Sequence, residues 1–143
     1  LKQLVMSTIN ENKRLFIKNR VFPEVKIAEE LVVMSDSKWL KFAIIQFITN
    51  AVKYTFEEDK KILIEATHNG ETVELRVKDE GIGIPKSDLS RVTKPFFTGE
   101  NGRKTGESTG MGLYIAQEIC TKLGHELSIE SETNVGTTIK IIF

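Results

Sequence analysis

Four places in the chain hold residues whose types and spacing point to chemistry. Gln46, Asn50 and Lys53 follow one another at intervals of four and three. On a helix they form one stripe, within about 60° of each other at 100° per residue. Asn50 offers a neutral hard oxygen suited to Mg²⁺, which takes few protein ligands alongside phosphate and water. Lys53 is a point charge for a phosphate. Asp79-Glu80-Gly81-Ile82-Gly83 puts a carboxylate at a strand end before two glycines. It suits an acid that accepts a hydrogen bond from an amino group on a flat ligand, with the glycines leaving room. Pro95-Phe96-Phe97-Thr98-Gly99 sets two aromatics in a long polar stretch. Gly110-Met111-Gly112 opens a helix, where free N–H groups and the helix dipole favour an anion.

Each has a plainer alternative. The stripe suits a solvated helix face, the acid with its glycines a strand-ending turn, the aromatics two core tethers, and the last glycines a hinge. Their order is more specific. Asn50 precedes Asp79 by 29 residues and Asp79 precedes Gly110 by 31, so a metal ligand, an acid, an aromatic segment and a phosphate loop follow in succession.

The elements that must position them are legible from patterning. Residues 2–19 carry Leu4, Val5, Ile9, Leu15 and Phe16 between charges and read as an exposed or partner-facing helix that Pro23 ends, with extended pieces at 25–27 and 30–34. Ser35-Asp36-Ser37 offers N-caps for a helix over 38–55, whose apolar face is Leu40, Ala43, Ile44, Phe47, Ile48 and Ala51. Strands are predicted at 61–68 and 72–78, joined at Asn69-Gly70. Residues 86–110 read as a loop of the length that marks a functional lid or a disordered segment. A helix over 111–123 buries Leu113, Ala116, Ile119, Cys120 and Leu123. Strands at 126–131 and 137–143, turning at Asn134-Val135-Gly136, close the chain. Cys120 and Trp39 read as packing residues, and His68 and His125 as turn or surface histidines.

Composition bounds the function. The chain has 143 residues, with 20 Lys and Arg against 20 Asp and Glu, a balance that argues against a nucleic-acid binder. Its one cysteine excludes an internal disulfide and suits a reducing compartment. No apolar run approaches the ~20 residues that cross a bilayer, and no signal peptide is visible. The chain begins with Leu rather than Met and reads as a piece of a longer protein.

Taken together, the motifs resemble the catalytic and ATP-binding domain of a bacterial sensor histidine kinase, of the gyrase, Hsp90, MutL and histidine-kinase superfamily. The resemblance covers about residues 25–143. Gln46 to Thr55 resembles the N box, Asp79 to Gly83 the first glycine box and Pro95-Phe96-Phe97 the F box. Ser108 to Tyr114 resembles the second glycine box and Gly136-Thr137-Thr138 the last. Residues 98–103 with 108–114 are similar to small kinases of Gram-positive bacteria that respond to bacitracin and other antimicrobial peptides. Two departures stand out: Gln46 where many members have Asn, and Asn134 where many have an additional glycine. Asn tolerates the positive φ such a turn needs.

The resemblance implies a two-layer α/β sandwich of the α+β class (the Bergerat fold), its mixed sheet covered on one face by three helices. Residues 1–20 would be the domain's N-terminal helix and 86–110 the ATP lid. It implies that Asp79 binds the adenine amino group with Thr137 nearby, that Asn50 holds Mg²⁺, and that Lys53 and the N–H groups at Gly110, Met111, Gly112 and Leu113 bind phosphate. Tyr54, Gly81, Gly83, Ile84, Phe97 and Thr109 would line the nucleotide site, Arg103 and Lys104 would reach the γ-phosphate, and Gln46 would be an outer metal or phosphate contact. It further implies a phosphoacceptor histidine domain and a response regulator as partners, and a dimeric, membrane-anchored parent with this part in the cytoplasm. Neither His68 nor His125 has the helical setting of an acceptor. ATPases of the superfamily activate water with a glutamate one turn before the metal-binding Asn; here that position is Gln46, which takes no proton.

Overall fold

The computed structural model describes residues 1–95, 97 and 111–143. Period-two alternation in the strands decides the layering. Ile62 and Ile64, then Val73, Leu75 and Val77, then Ile139 and Ile141 are buried. The alternate residues Glu65, Arg76, Lys78, Ser128, Glu130, Thr138 and Lys140 line a polar groove on the other face. One face of the sheet is therefore core and the other is wet.

Among the described residues the sheet has five strands. They are β1 (Phe22–Lys26), β2 (Lys61–Asn69), β3 (Thr72–Asp79), β4 (Glu126–Glu132) and β5 (Gly136–Ile142), in spatial order β1-β2-β3-β5-β4. β1 runs parallel to β2 and the other pairings are antiparallel, so the sheet is mixed as expected. Gly70 at φ +69° turns the β2–β3 hairpin, and Asn134 takes φ +65° in the β4–β5 turn.

The helices over the apolar face are α1 (Lys2–Glu11), α3 (Ser37–Lys53) and α5 (Gly112–Leu123), with short α2 (Lys13–Asn19) and α4 (Lys86–Leu89) added. α3 is central, in contact with α1, α2, α5, β2 and β3. The Asp36 carboxylate accepts from the Trp39 N–H at 3.0 Å and starts α3. This cap satisfies one of the four N–H groups a helix start leaves unpaired. Leu40, Ala43, Ile44, Phe47, Ile48, Ala51 and Val52 form its buried stripe. That stripe leaves Gln46, Asn50 and Lys53 half-buried on the adjoining side.

The structure corrects several expectations. The exposed or partner-facing helix predicted over 2–19 is two helices, and Val5, Ile9 and Phe16 bury into the domain's own core. The Asn12 amide donates to the Thr8 carbonyl at 2.8 Å and its N–H reaches back to Ile9, a local competition that closes α1. Arg20 in the left-handed conformation ends α2. Pro23 is no terminator but lies inside β1, tolerated there because β1 is an edge strand. Residues 30–34 form no strand; Leu31 bonds back to Ala28 in a turn. The first part of the expected lid is ordered backbone, since 86–89 is helical and turns continue to Pro95. Trp39 is 52% exposed and meets only the similarly exposed Phe42 edge-on among the described aromatics, so it is not a core packing residue. Cys120 is fully buried. His125 touches Ser35 at 2.8 Å and packs edge-on against Phe143, while burial holds its pKa below the usual imidazole value.

Candidate nucleotide site

Three neighbouring inward rows of the sheet end in a polar residue at the same edge. Val73, Leu75 and Val77 lead to Asp79; Ile141 and Ile139 lead to Thr137; Leu127 and Ile129 lead to Ser131. The strand register places Ser131 directly opposite Thr137. A side chain that would be apolar in an uninterrupted core is polar three times over at one end of the sheet.

Asp79 is only 4% exposed. Its Oδ1 accepts from the Gly81 N–H at 2.8 Å and the Thr137 N–H at 3.2 Å. Oδ2 accepts no hydrogen bond among the described residues, which nonetheless contain no buried, unpartnered side-chain polar atom. Oδ2 is thus an acceptor that still meets the outside. Burial pushes the carboxyl from 3.8 up to about 6, against the opposing pull of the two N–H bonds.

The turn after Asp79 is clamped on both sides. The Ile82 N–H donates to the Tyr54 carbonyl at 3.0 Å, just past the end of α3. The Asn134 N–H donates to the Ile82 carbonyl at 2.8 Å, and the Ile84 N–H donates to the Ser131 hydroxyl at 2.7 Å. A Cβ at Gly81 would strike the Tyr54 carbonyl oxygen, and one at Gly83, which also sits at φ +72°, would strike that of Glu132. The space these glycines leave is taken by the protein's own backbone rather than simply kept open for a ligand.

This clamp brings the end of α3 beside Asp79. At the other end of the polar stripe, a Cβ on Gly112 would lie 3.1 Å from Gln46 Oε1. The stripe therefore runs from the first turn of α5 toward the acid, with Asn50 between. Lys53 Nζ lies 5.7 Å from the Tyr54 ring centroid. Among the described residues no side chain caps the start of α5 at Met111. Met111, Gly112 and Leu113 are half-buried there, and Ile84 is half-buried in the clamped turn. Phe97 is half-buried under the Arg91 guanidinium, 4.8 Å from its ring centroid. Phe96, Arg103, Lys104, Thr109 and Gly110 lie outside the described residues, as does the rest of the expected lid from 98 to 110. The motifs in the sequence do not single out Ser131. A signal for it exists in the patterning: a serine closes the apolar alternation Leu127, Ile129 just as Thr137 closes its own.

Such an arrangement offers an outward carboxylate oxygen for an amino group at one end. At the other it offers an ammonium group and a helix start for a polyanion, and amide oxygens for the cation that accompanies it. The donor set fits a nucleotide with its metal. Asn50 would supply one neutral oxygen to Mg²⁺, an ion that takes few protein ligands alongside phosphate and water.

Residues 35–143 match the family described as histidine kinase-, DNA gyrase B-, and HSP90-like ATPase. Over its whole length the chain is 42% identical to the sensor histidine kinase YxdK and 36% identical to the sensor protein BceS, both of Bacillus subtilis. It spans 44% and 42% of their lengths, less than half of each. Among solved structures, the catalytic domain of histidine kinase ThkA superposes on all of this chain and 91% of its own, with a TM-score of 0.85 at 24% identity. That likeness shows the fold.

Proposed function

Since the chain belongs to the histidine kinase-, DNA gyrase B- and HSP90-like ATPase family, we propose that it binds Mg-ATP and passes the γ-phosphate to a histidine on a separate dimerisation domain of its parent protein. The observation that carries this reading is Asp79: a buried carboxylate with one oxygen tied to two backbone N–H groups and the other turned outward. Its outward oxygen accepts from the exocyclic amine of adenine. Gln46, Asn50 and Lys53 then lie along the triphosphate.

Phosphoryl transfer asks the protein mainly for positioning and charge neutralisation. Asn50 would hold Mg²⁺, which neutralises phosphate charge when bound. Lys53 and the N–H groups from Gly110 to Leu113 bind phosphate oxygens. Tyr54, Ile84, Phe97 and Thr109 complete the nucleotide contacts, and Arg103 and Lys104 reach for the γ-phosphate. The imidazole nitrogen attacks the γ-phosphorus as its bond to the ADP oxygen breaks. A neutral imidazole needs no strong base. Gln46, beside Gly112, has no titratable group with which to activate water, which favours transfer over hydrolysis.

The parent would be a dimeric, membrane-anchored sensor whose kinase part lies in the cytoplasm and hands phosphate to a response regulator. No helix among the described residues is long and apolar enough to cross a membrane. The Bacillus subtilis relatives support placement with Gram-positive kinases that answer bacitracin and other antimicrobial peptides.

The test is to mix the chain with γ-labelled Mg-ATP and a helical domain carrying the acceptor histidine. The expected product is an acid-labile, base-stable phosphohistidine. Free phosphate without label on the acceptor would point instead to an ATPase. Asn50→Ala is expected to fold normally but to lose the gain in ATP affinity that Mg²⁺ gives over EDTA, on the order of tenfold. A variant that keeps that gain contradicts the metal assignment.

A further inference from the structure

Ser131 makes more contacts than one hydroxyl serves in arbitrary directions. Its Oγ accepts from the Ile84 N–H at 2.7 Å, lies 3.0 Å from the Gly136 carbonyl oxygen and 2.8 Å from the Thr137 hydroxyl. A serine hydroxyl has one proton to give and two lone pairs to offer. The Gly136 carbonyl only accepts, so it takes the Ser131 proton. The remaining lone pair of Ser131 then accepts from Thr137. All three contacts are made at once only with the protons running from Thr137 to Ser131 to Gly136.

We infer that Ser131 is a positioning residue that sets the polarity of the base-recognition end of the pocket. With its proton committed to Ser131, the Thr137 hydroxyl can act toward a ligand only as an acceptor. Its own N–H is held by Asp79 Oδ1, so Thr137 sits beside the acid. Oδ2 of Asp79, when ionised, is also an acceptor. Two acceptors side by side suit a purine bearing a 6-amino group and repel one bearing a 6-oxo group. This inference rests on the nucleotide reading above and adds to it a residue that does not itself meet the base.

The prediction concerns a ratio. Ser131→Ala frees the Thr137 hydroxyl to rotate and donate, so the preference for ATP over inosine triphosphate should fall roughly three- to tenfold, the worth of one neutral hydrogen bond. Thr137→Val keeps the shape, removes the acceptor and should lose a similar part of the preference. Adding Ser131→Ala to Thr137→Val should then change the ratio no further, because Ser131 acts through Thr137. Calorimetric titration of each folded variant with Mg-ATP and Mg-inosine triphosphate reads all of this. An unchanged ratio in Ser131→Ala or in Thr137→Val, or effects that simply add in the double variant, overturns the inference. If Ser131→Ala does not fold, Ser131→Cys, whose thiol is a much weaker acceptor for the Thr137 proton, takes its place: a lowered ratio supports the inference and an unchanged one overturns it. A folded wild-type chain that binds neither nucleotide would instead sink the nucleotide reading itself.

Discussion

Asp79→Asn is expected to lower ATP affinity at least about 100-fold while leaving the chain folded. The reason lies in which way the new amide must face. Oδ1 of Asp79 accepts two backbone N–H groups, from Gly81 and Thr137. An asparagine that flipped would set its own NH₂ against both donors in a buried site. It therefore keeps its oxygen inward and turns its nitrogen outward, where the carboxylate had offered Oδ2. A donor now faces the adenine amine, itself a donor. The loss combines a hydrogen bond to a charged acceptor, worth about 1.5–3 kcal/mol, with donor–donor repulsion. Equal ATP affinity in wild type and variant would refute the adenine assignment.

The same substitution should stabilise the protein at neutral pH. Burial raises the Asp79 carboxyl from 3.8 to about 6, so the folded state holds the proton more tightly than the unfolded state does. The contribution of this group is fully present below about pH 3.8 and is lost as pH rises to about 6. The loss amounts to roughly 3 kcal/mol, and Asp79 is too buried for solvent to screen much of it. Asparagine stays neutral throughout. Urea unfolding of both proteins should show the variant more stable by up to about that amount at pH 7.5. The advantage should shrink toward zero near pH 4. Taking the difference between the two proteins cancels the other carboxylates that titrate in this range. A difference that does not change with pH would mean that Asp79 is not destabilised by burial. If both results hold, the wild type keeps a charge that weakens its fold because that charge is needed by a ligand.

Much of this fold is legible in the sequence because strand alternation is local and strict. Val73, Leu75 and Val77 alternate inward, and the next inward place is Asp79, so patterning alone shows an acid at the end of a core row. Asn134 in a left-handed turn is legible for the same kind of reason, since few residues accept that φ. Features that escape depend on competition or on distant partners. The apolar spacing of Leu4 through Phe16 runs straight across Asn12, so periodicity alone does not show that its side chain closes α1 on the Thr8 carbonyl. Leu31, Val32 and Val33 look like a strand by composition, yet no neighbouring strand pairs with them among the described residues. Trp39 follows an N-cap and stays half exposed beside Tyr114 and Ile119 of α5, which size and hydrophobicity do not foretell. Ser131 acquires its meaning from Ile84, which is 47 residues away in the chain. At the site, motifs mark Asp79, Thr137, Asn50 and Gln46 individually. The backbone clamp between Tyr54, Ile82 and Asn134 explains how the end of α3 comes to lie beside Asp79.

The measurement that bears most directly on the proposed function is calorimetric titration of this chain with ATP in the presence of Mg²⁺, beside circular dichroism to show that the material is folded. A single saturable association with one nucleotide per chain is the predicted result. Folded protein that takes up no ATP would contradict it.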